Sequence, residues 1–375
     1  MRGKINFLVP ENQIWIIQNF QNRLPDKVGR KIQINTYEKL DELRKIDAGT
    51  VIFTGLGVIT EAQRELSTNV WNQLGESESG FRLLNHPEKT LGRHELLGEL
   101  HIRGINDFRS FTIQDVKETD INFPVFIRER KKHTGSLTTL IHSISEFDLA
   151  LKDVKKRGYN LTELLVVEYV HTADSNNIYR KYSAFKIGDK IIARYLTLSY
   201  DWVTKENADD HTDKVLYTDE LIQEEHEYIV GNPHEEELRN IFNIAHIDFG
   251  RIDYGFKDGR IQVWEINTLP TFGSMPNKAD LRSDKLLHRK KKREPSKDFF
   301  YNQLAKAVEI LAANNHPLEV ALTYNPELVK VLKSERVKKN LTEGLLWAGS
   351  MLPKIEFIQK VRTYIKRKMI YSGKV

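Results

Sequence analysis

The sequence predicts an α/β protein of more than one domain. Three observations carry that expectation. Apolar, strand-like runs alternate with helical patterns through the first hundred residues. Paired strand signals with tight turns fill the middle. The last hundred residues turn helical and basic. A chain of 375 residues exceeds one ordinary core, so two or three domains are expected. Hydrophobic content of 40% and charged content of 29% fit a globular chain and exclude a disordered one.

The elements follow in order. INFLV at 5–9 and TVIF at 50–53 read as buried strands, each followed by a helical pattern. TGLGVIT at 54–60 is a turn with two glycines. A lone GxG is a weak phosphate signal, and as a turn it needs no ligand. This open α/β arrangement runs to about residue 110. NFPVFIRERKKHTGSL at 122–137 is a strand entering a basic loop, and LLVVEYV at 164–170 is another strand. After the polar HTADSNN, two strands flank the turn Gly188-Asp189. Acidic helical segments cover 218–227 and 235–242. A strand at 245–249 precedes a hairpin at 251–265, turned by Asp258-Gly259.

Cysteine is absent. That excludes disulfides and thiolate metal sites and fits a reducing cytoplasm. The apolar patch behind Arg2 and Lys4 is broken by Glu11 and Asn12, which marks a first strand and not a signal segment. No run reaches the roughly 18 apolar residues of a membrane span. The net charge of +5 is unevenly spread. Residues 281–375 hold 21 Lys and Arg against 9 Asp and Glu, a net +12, which leaves −7 for residues 1–280.

Chemistry concentrates in IDFGRIDYGFKDGRIQVWEINTLP, residues 247–270. Strand residues i and i+2 face one side, so Glu265 and Asn267 point together. Pairing across the turn brings Asp253 to the same end. A charge on a strand of Ile, Val and Trp is costly unless something pairs it. Asp253, Glu265 and Asn267 offer oxygen ligands only, which suit Mg²⁺, the companion of nucleotide phosphates. The plainer account is a surface hairpin with solvated acids.

An Asp, a dozen residues, then Glu-x-Asn and a Pro resembles the metal-binding end of the ATP-grasp superfamily. EINTLPTF looks like the matching segment of the D-alanine–D-alanine ligases, and the chain as a whole resembles these and the glutathione-synthetase-like carboxylate–amine ligases. NHPEKTLGRHELLGELHIRGI at 85–105 resembles the family's lead-in helix. FPVFIRERKKHTGS resembles its phosphate-covering strand and loop, and VVEYV its adenine hinge. The resemblance spans about residues 1–275. It implies a pre-grasp α/β domain at 1–110 and a two-lobed ATP-grasp domain at 111–275; beyond it, composition reads as a basic helical C-terminal extension at 276–375.

The resemblance also implies roles. Asp253, Glu265 and Asn267 would be metal ligands for Mg²⁺, or Mn²⁺ in its place, with ATP as the nucleotide. Arg251 stands where the family has an Arg that stabilises charge at the reacting centre. The family's two phosphate-contacting lysines are Arg93 and Arg128 here, and Lys131 or Lys132 are alternatives for the loop charge. Gly135 and Ser136 would offer N–H groups to phosphate. Glu168, Tyr169 and Val170 match the adenine hinge. Asp174 matches a ribose-binding acid, or is an Asx-turn residue. Arg180 and Arg194, on adjacent strands facing one side, would clamp an anion, or are ordinary solvent-facing residues. Arg103 and Arg109 are candidates for a substrate α-carboxylate. His133, His234 and His246 receive no role.

The implied activity is ATP-dependent ligation of a small-molecule or peptide carboxylate to an amine through an acylphosphate. Two alternatives stand beside it: a kinase-like phosphotransferase with the same metal site, and a non-catalytic nucleotide-binding module docked by its basic tail. HRKKKRE at 288–294 and the amphipathic stretch 345–370 read as a membrane-surface or partner-docking element, or as helix packed on the acidic body. No motif that reads RNA or DNA is present, so no specific nucleic-acid partner is expected. Substrate specificity would lie in the first domain and in loops such as 200–215.

Overall fold

The computed structural model describes residues 3–77, 80–117, 120–132, 135–203, 218–272, 284–312 and 319–351. The chain forms two compact units, 1–106 with 171–323 and 107–170 with 324–375. Neither unit is one continuous stretch.

The larger unit begins with β1 (Lys4–Val9), α1 (Ile14–Asn22), α2 (Asp26–Gly29), β2 (Ile32–Thr36), β3 (Lys45–Asp47), β4 (Gly49–Phe53), α3 (Glu61–Glu76), β5 (Arg82–Leu84) and α4 (Arg93–Ile102). Strands β2-β1-β4-β5 make a parallel sheet. β1 and β4 are buried almost throughout, as strands covered on both faces must be. The glycine-containing turn at 54–60 leads into α3, where Thr60 and Gln63 form a reciprocal capping box.

The smaller unit holds β6 (Ser110–Thr112), β7 (Val125–Glu129), α5 (Ile144–Lys156) and β8 (Leu164–Glu168), with antiparallel strand order β6-β8-β7. β7 alternates buried and half-buried residues. Val125 and Ile127 pack with Phe147 and Val154 of α5, which leaves Phe126 and Arg128 on the other face. The chain then folds back, bridging Arg128 to Ser136 and Val125 to Ile141.

The larger unit resumes with β9 (Tyr179–Ile187), β10 (Lys190–Ser199), α6 (Asp219–Gly231), α7 (Glu235–Ile244), β11 (Phe249–Lys257), β12 (Arg260–Asn267), α8 (Asp284–Leu311) and β13 (Glu319–Ala321). The second unit continues into α9 (Pro326–Met351). Strands β10-β9-β11-β12 form an antiparallel sheet. The turn residues Asp258 and Gly259 have φ of 51° and 74°, the two positive values that a right-twisted two-residue hairpin demands. The strand expected at 245–249 is instead a turn. His246 has φ 53°, and its N–H donates to Asn243 O, so β11 starts only at Phe249.

Phe249 joins the two sheets of the larger unit. It is fully buried and touches the rings of Phe7, Phe20 and Phe272. Phe300, Leu304, Val308 and Leu311 of α8 complete the same core, and β13 pairs with β3. α8 and β13 therefore belong to the body rather than to an appendage. The basic run is part of this docking: Arg293 makes a forked pair with the buried Glu225 of α6, and Lys292 pairs with Asp219. Of that run, Lys292 and Arg293 face acids on the body. Residues 352–370 of the amphipathic stretch lie outside the described residues, as does the loop at 204–217. Among the described residues no helix is long and apolar enough to cross a membrane.

Candidate active site

The β11–β12 register sets the site. Asp253 lies opposite Glu265, and Arg251 opposite Asn267. Directly opposed residues share a face, so all four project together. This register depends on a bulge. Lys257 pairs with Arg260 and Tyr254 with Val263, and then the pairing skips Trp264. Without that extra residue Trp264 would face Asp253, and Glu265 would point to the other side. Gly255 makes room for the indole, since a Cβ there would meet Trp264 Cη2 at 2.5 Å.

Cations surround the acids. Asp253 is 7% exposed. It accepts from Ser183 Oγ at 2.8 Å and from Arg251 Nε at 3.1 Å, with Lys181 Nζ at 3.8 Å. Ser183 stands opposite Asp253 on β9, and Lys181 is two residues away on the same face. Glu265 pairs with Arg93, the first residue of α4. That helix buries Leu96 and Leu100 beside Ile252 and Val263. Three cations, Arg93, Lys181 and Arg251, pair the two acids on this apolar hairpin.

Two buried asparagines hold the hairpin. β12 is an edge strand, so its outer backbone groups need partners. Asn106 supplies them at Val263, its Oδ1 accepting from the N–H at 2.8 Å and its Nδ2 donating to the C=O at 2.9 Å. Asn85 does the same at the start of β11. Its Oδ1 accepts from the N–H groups of Asp248 and Phe249, and its Nδ2 donates to the carbonyls of Phe53 and Phe249. Sequence reading missed Asn85, Asn106, Lys181 and Ser183, because their roles come from long-range pairing that no local motif encodes.

The remaining sequence candidates divide sharply. Arg93 joins the acid set, although a phosphate contact was expected of it. Arg180 and Arg194 do not face one side. Arg180 alternates with Ser183 and points to the opposite face, where Glu224 and Asp174 hold its guanidinium, each at 2.6 Å. Glu224 is the chief cause of its raised pKa. Asp174 is an Asx-turn residue: it accepts from the N–H groups of Asn176 and Ile178, and Arg180 above all holds its carboxyl below the ordinary range. Glu168 is 3% exposed and accepts from Arg109 Nη2 at 2.6 Å and from the N–H groups of Arg109 and Asn122. That hydrogen bond raises the pKa of Arg109 and removes Arg109 as a substrate clamp. Arg103 forms an exposed pair with Glu99. Lys131 lies 4.0 Å from Glu163, and Lys132 3.1 Å from Glu129. Gly135 has φ 88°, and the Ser136 hydroxyl donates to Thr138 O. Tyr169 N–H donates to Pro124 O, and Val170 ends the segment. His133 lies outside the described residues.

The face opposite the acids is aromatic. Tyr182, Tyr228, Tyr254 and Phe256 pack around His234, whose Nδ1 lies 2.9 Å from Tyr254 Oη. Burial lowers the His234 pKa. The folded protein then binds this proton less readily than the unfolded chain. Its contribution to stability is present above the unfolded pKa, about 6.5, and is lost as pH falls toward the folded value. The urea midpoint is expected to drop between pH 7.5 and 5, and His234→Asn to shrink that drop.

Two carboxylates and an amide oxygen share the acid face. Among the described residues no group of three His, Cys, Asp or Glu side chains is placed to hold a metal. Mg²⁺ needs no such cage, since one or two carboxylates plus substrate phosphates and water complete its shell. The donor set, all oxygen and already balanced by cations, fits that ion and does not fit zinc.

No family model matches the chain, and no curated protein matches it. Solved structures do. The chain is similar to ATP-grasp and related ligases. The D-alanine–D-alanine ligase from Bacillus anthracis complexed with ATP is 14% identical, with a TM-score of 0.45 over 89% of this chain and 100% of that one. The VanG D-Ala:D-Ser ligase from Enterococcus faecalis is 12% identical, with a TM-score of 0.45 over 83% and 100%. The ATP-grasp ligase PsnB complexed with its minimal precursor is 10% identical, with a TM-score of 0.46 over 83% and 99%.

Proposed function

We propose that the protein is a cytoplasmic ATP-dependent ligase that joins a carboxylate to an amine. The observation that carries this is the bulged hairpin. It sets Asp253 against Glu265 and Arg251 against Asn267 on one face, with Arg93, Lys181 and Ser183 in contact. Buried acids ringed by cations suit a site that exchanges those cations for metal and phosphate.

In this proposal Asp253 and Glu265, with Asn267, hold Mg²⁺, which supplies charge neutralisation for the phosphates. A substrate carboxylate oxygen attacks the γ-phosphorus, the bond to the β-bridging oxygen breaks, and ADP leaves. The amine nitrogen then attacks the acyl carbon, a proton is lost, and phosphate departs. Phosphoryl transfer asks for alignment and charge compensation more than covalent help. Arg251 donates to the oxyanion of the tetrahedral intermediate. Arg93 and Lys181, which pair with these carboxylates, would donate to phosphate oxygens once the carboxylates are engaged elsewhere. Arg128, Gly135 and Ser136, with Lys131 or Lys132, are assigned to phosphate in the smaller unit. Backbone groups at Tyr169 and Val170 are assigned to adenine, with Glu168 supporting them by fixing Arg109 rather than by touching the base.

Calorimetry tests the nucleotide step: ATP is expected to bind at micromolar Kd with Mg²⁺ and far more weakly without it. ADP release is then scored on pairs of carboxylates and amines, with the product weighed by mass spectrometry. A phosphorylated end product in place of an amide would convert the assignment to a kinase. Absence of ATP binding with either Mg²⁺ or Mn²⁺ would end the enzyme assignment.

A further inference from the structure

Tyr182 marks a second site, on the face of the sheet turned away from the acids. It stands opposite Leu196 on β10 and Tyr254 on β11, and its ring stacks on that of Tyr254 at 5.5 Å. Helix α6 packs on this row and turns Glu224, Glu227, Tyr228 and Gly231 toward it. These are positions i, i+3, i+4 and i+7, one helical face. Asn232, in the left-handed conformation, ends the helix and brings His234 back over the same spot. Its Nδ2 donates to Ile191 O at 3.0 Å, which pins the reversal to β10. Tyr182 meets the rings of Tyr228 and His234 steeply, at 69° and 87°, with centroids 5.0 Å and 5.5 Å away. These walls bound a cavity of about 260 Å³, open on one side.

Gly231 keeps the cavity open. A Cβ there would meet nothing within 4 Å, and its φ lies outside the left-handed region. Glycine is the poorest helix former after proline. Neither space nor backbone calls for it in the last turn of α6, whereas a longer side chain would fill the cavity. The rim is acidic. Arg180 is shared between Asp174 and Glu224, so it answers one of those two charges. Glu227 adds a further one, with Gln223 donating to it at 3.0 Å. Burial first and Glu224 next raise the pKa of Tyr182, and the opposing effect of Arg180 is smaller.

Aromatic walls with an acidic rim favour a cation. The acceptors decide which kind. Tyr228 Oη donates to Ser183 O and lies 3.0 Å from Tyr254 Oη, and Glu224 is held by Arg180. A metal ion or a primary ammonium needs several oxygen partners. A quaternary ammonium needs none. The volume falls just below the roughly 300 Å³ at which sites for drug-sized ligands begin, so the occupant is small. We propose that this cavity binds a small organic cation of the quaternary-ammonium type. The site shares no residue with the acid face and does not rest on the ligase assignment.

The test is thermal melting and calorimetry with choline chloride. The controls are sodium chloride at matched ionic strength and the neutral isostere of choline, with tert-butyl in place of trimethylammonium. Choline is expected to raise the wild-type Tm, and the isostere to bind about tenfold more weakly. Gly231→Leu should melt at or above wild type, because leucine is the better helix former, and should lose the choline response. Glu227→Gln, a change at an exposed side chain, should weaken choline binding about threefold and leave the Tm unchanged. Co-sedimentation with phosphatidylcholine vesicles gives the source of the head group. Pelleting that Gly231→Leu abolishes would assign it to a lipid, and a choline response without pelleting would assign it to a free solute. A wild type indifferent to both choline and the vesicles would overturn the proposal. So would equal responses to choline and its isostere, or a choline response that Gly231→Leu retains.

Discussion

Glu265→Gln is expected to lower Mg²⁺-dependent ADP release by about 10³-fold while the protein stays folded. Glu265 is one of two carboxylates on the acid face, and the amide that replaces it keeps the shape but loses the charge that draws a divalent ion. The cost to folding is smaller. The side chains of Arg93 and Glu265 are 5% and 12% exposed, so the change leaves a buried guanidinium with a neutral acceptor. That should cost about 1–3 kcal/mol. Arg93→Gln in the same background removes the stranded charge and should recover part of it. Circular dichroism with urea reads stability, and a Mg²⁺ titration of ADP release reads function. A wild-type metal response in Glu265→Gln would show that the acid face binds no metal.

Asn85→Ala is the largest stability change expected outside the hydrophobic core, about 4 kcal/mol. Asn85 is fully buried and makes four hydrogen bonds, to Phe53, Asp248 and Phe249. Those bonds tie β4 of the parallel sheet to the start of β11. Truncation leaves buried donors and acceptors with nothing in their place, each costing about 1–3 kcal/mol before relaxation. The backbone adds to this, since Asn85 has φ 63°, and Ala tolerates that region less well than Asn. Asn85→Asp makes the sharper comparison. It keeps the oxygen that accepts from Asp248 and Phe249 but sets a carboxylate oxygen against two carbonyl oxygens, so at neutral pH it should be at least as damaging as Ala. Urea midpoints at constant slope measure both. A loss below about 1 kcal/mol for Ala would mean that water or movement satisfies these groups.

The residue types at the site were legible, and their partners were not. Glu265, Asn267 and Asp253 could be picked out because a charged group on an apolar strand is locally anomalous. Arg180 and Asp174 misled because an Arg on a strand and an acid after a hinge carry no sign of what they face. In the fold they satisfy each other, with Glu224, on the far side of the sheet. Glu168 misled for the same reason: its partner, Arg109, is 59 residues away in sequence. α8 and β13 fall in a segment, 276–375, that reads as an appendage because composition reports charge. Their burial depends on Phe300, Leu304 and Val308 meeting a core drawn from the first sheet.

The strands, the Asp258-Gly259 reversal and the oxygen-only ligand set follow from the sequence alone, because alternation, positive φ at a tight turn and ligand hardness are local properties. The tertiary structure decided that Glu265 faces Asp253 at all. Counted from the turn, a regular hairpin places Trp264 there. The bulge that shifts the register is held by the indole seated over Gly255, by the Asn106 clip on Val263, and by the pairing of β11 with β9. A bulge costs ladder hydrogen bonds locally, and only contacts from distant parts of the chain repay them. Two residues apart in the sequence, Glu265 and Asn267 were certain to point together. Which side of the sheet they point to was settled by distant neighbours, among them Asn106, 157 residues from Val263, and the strand β9.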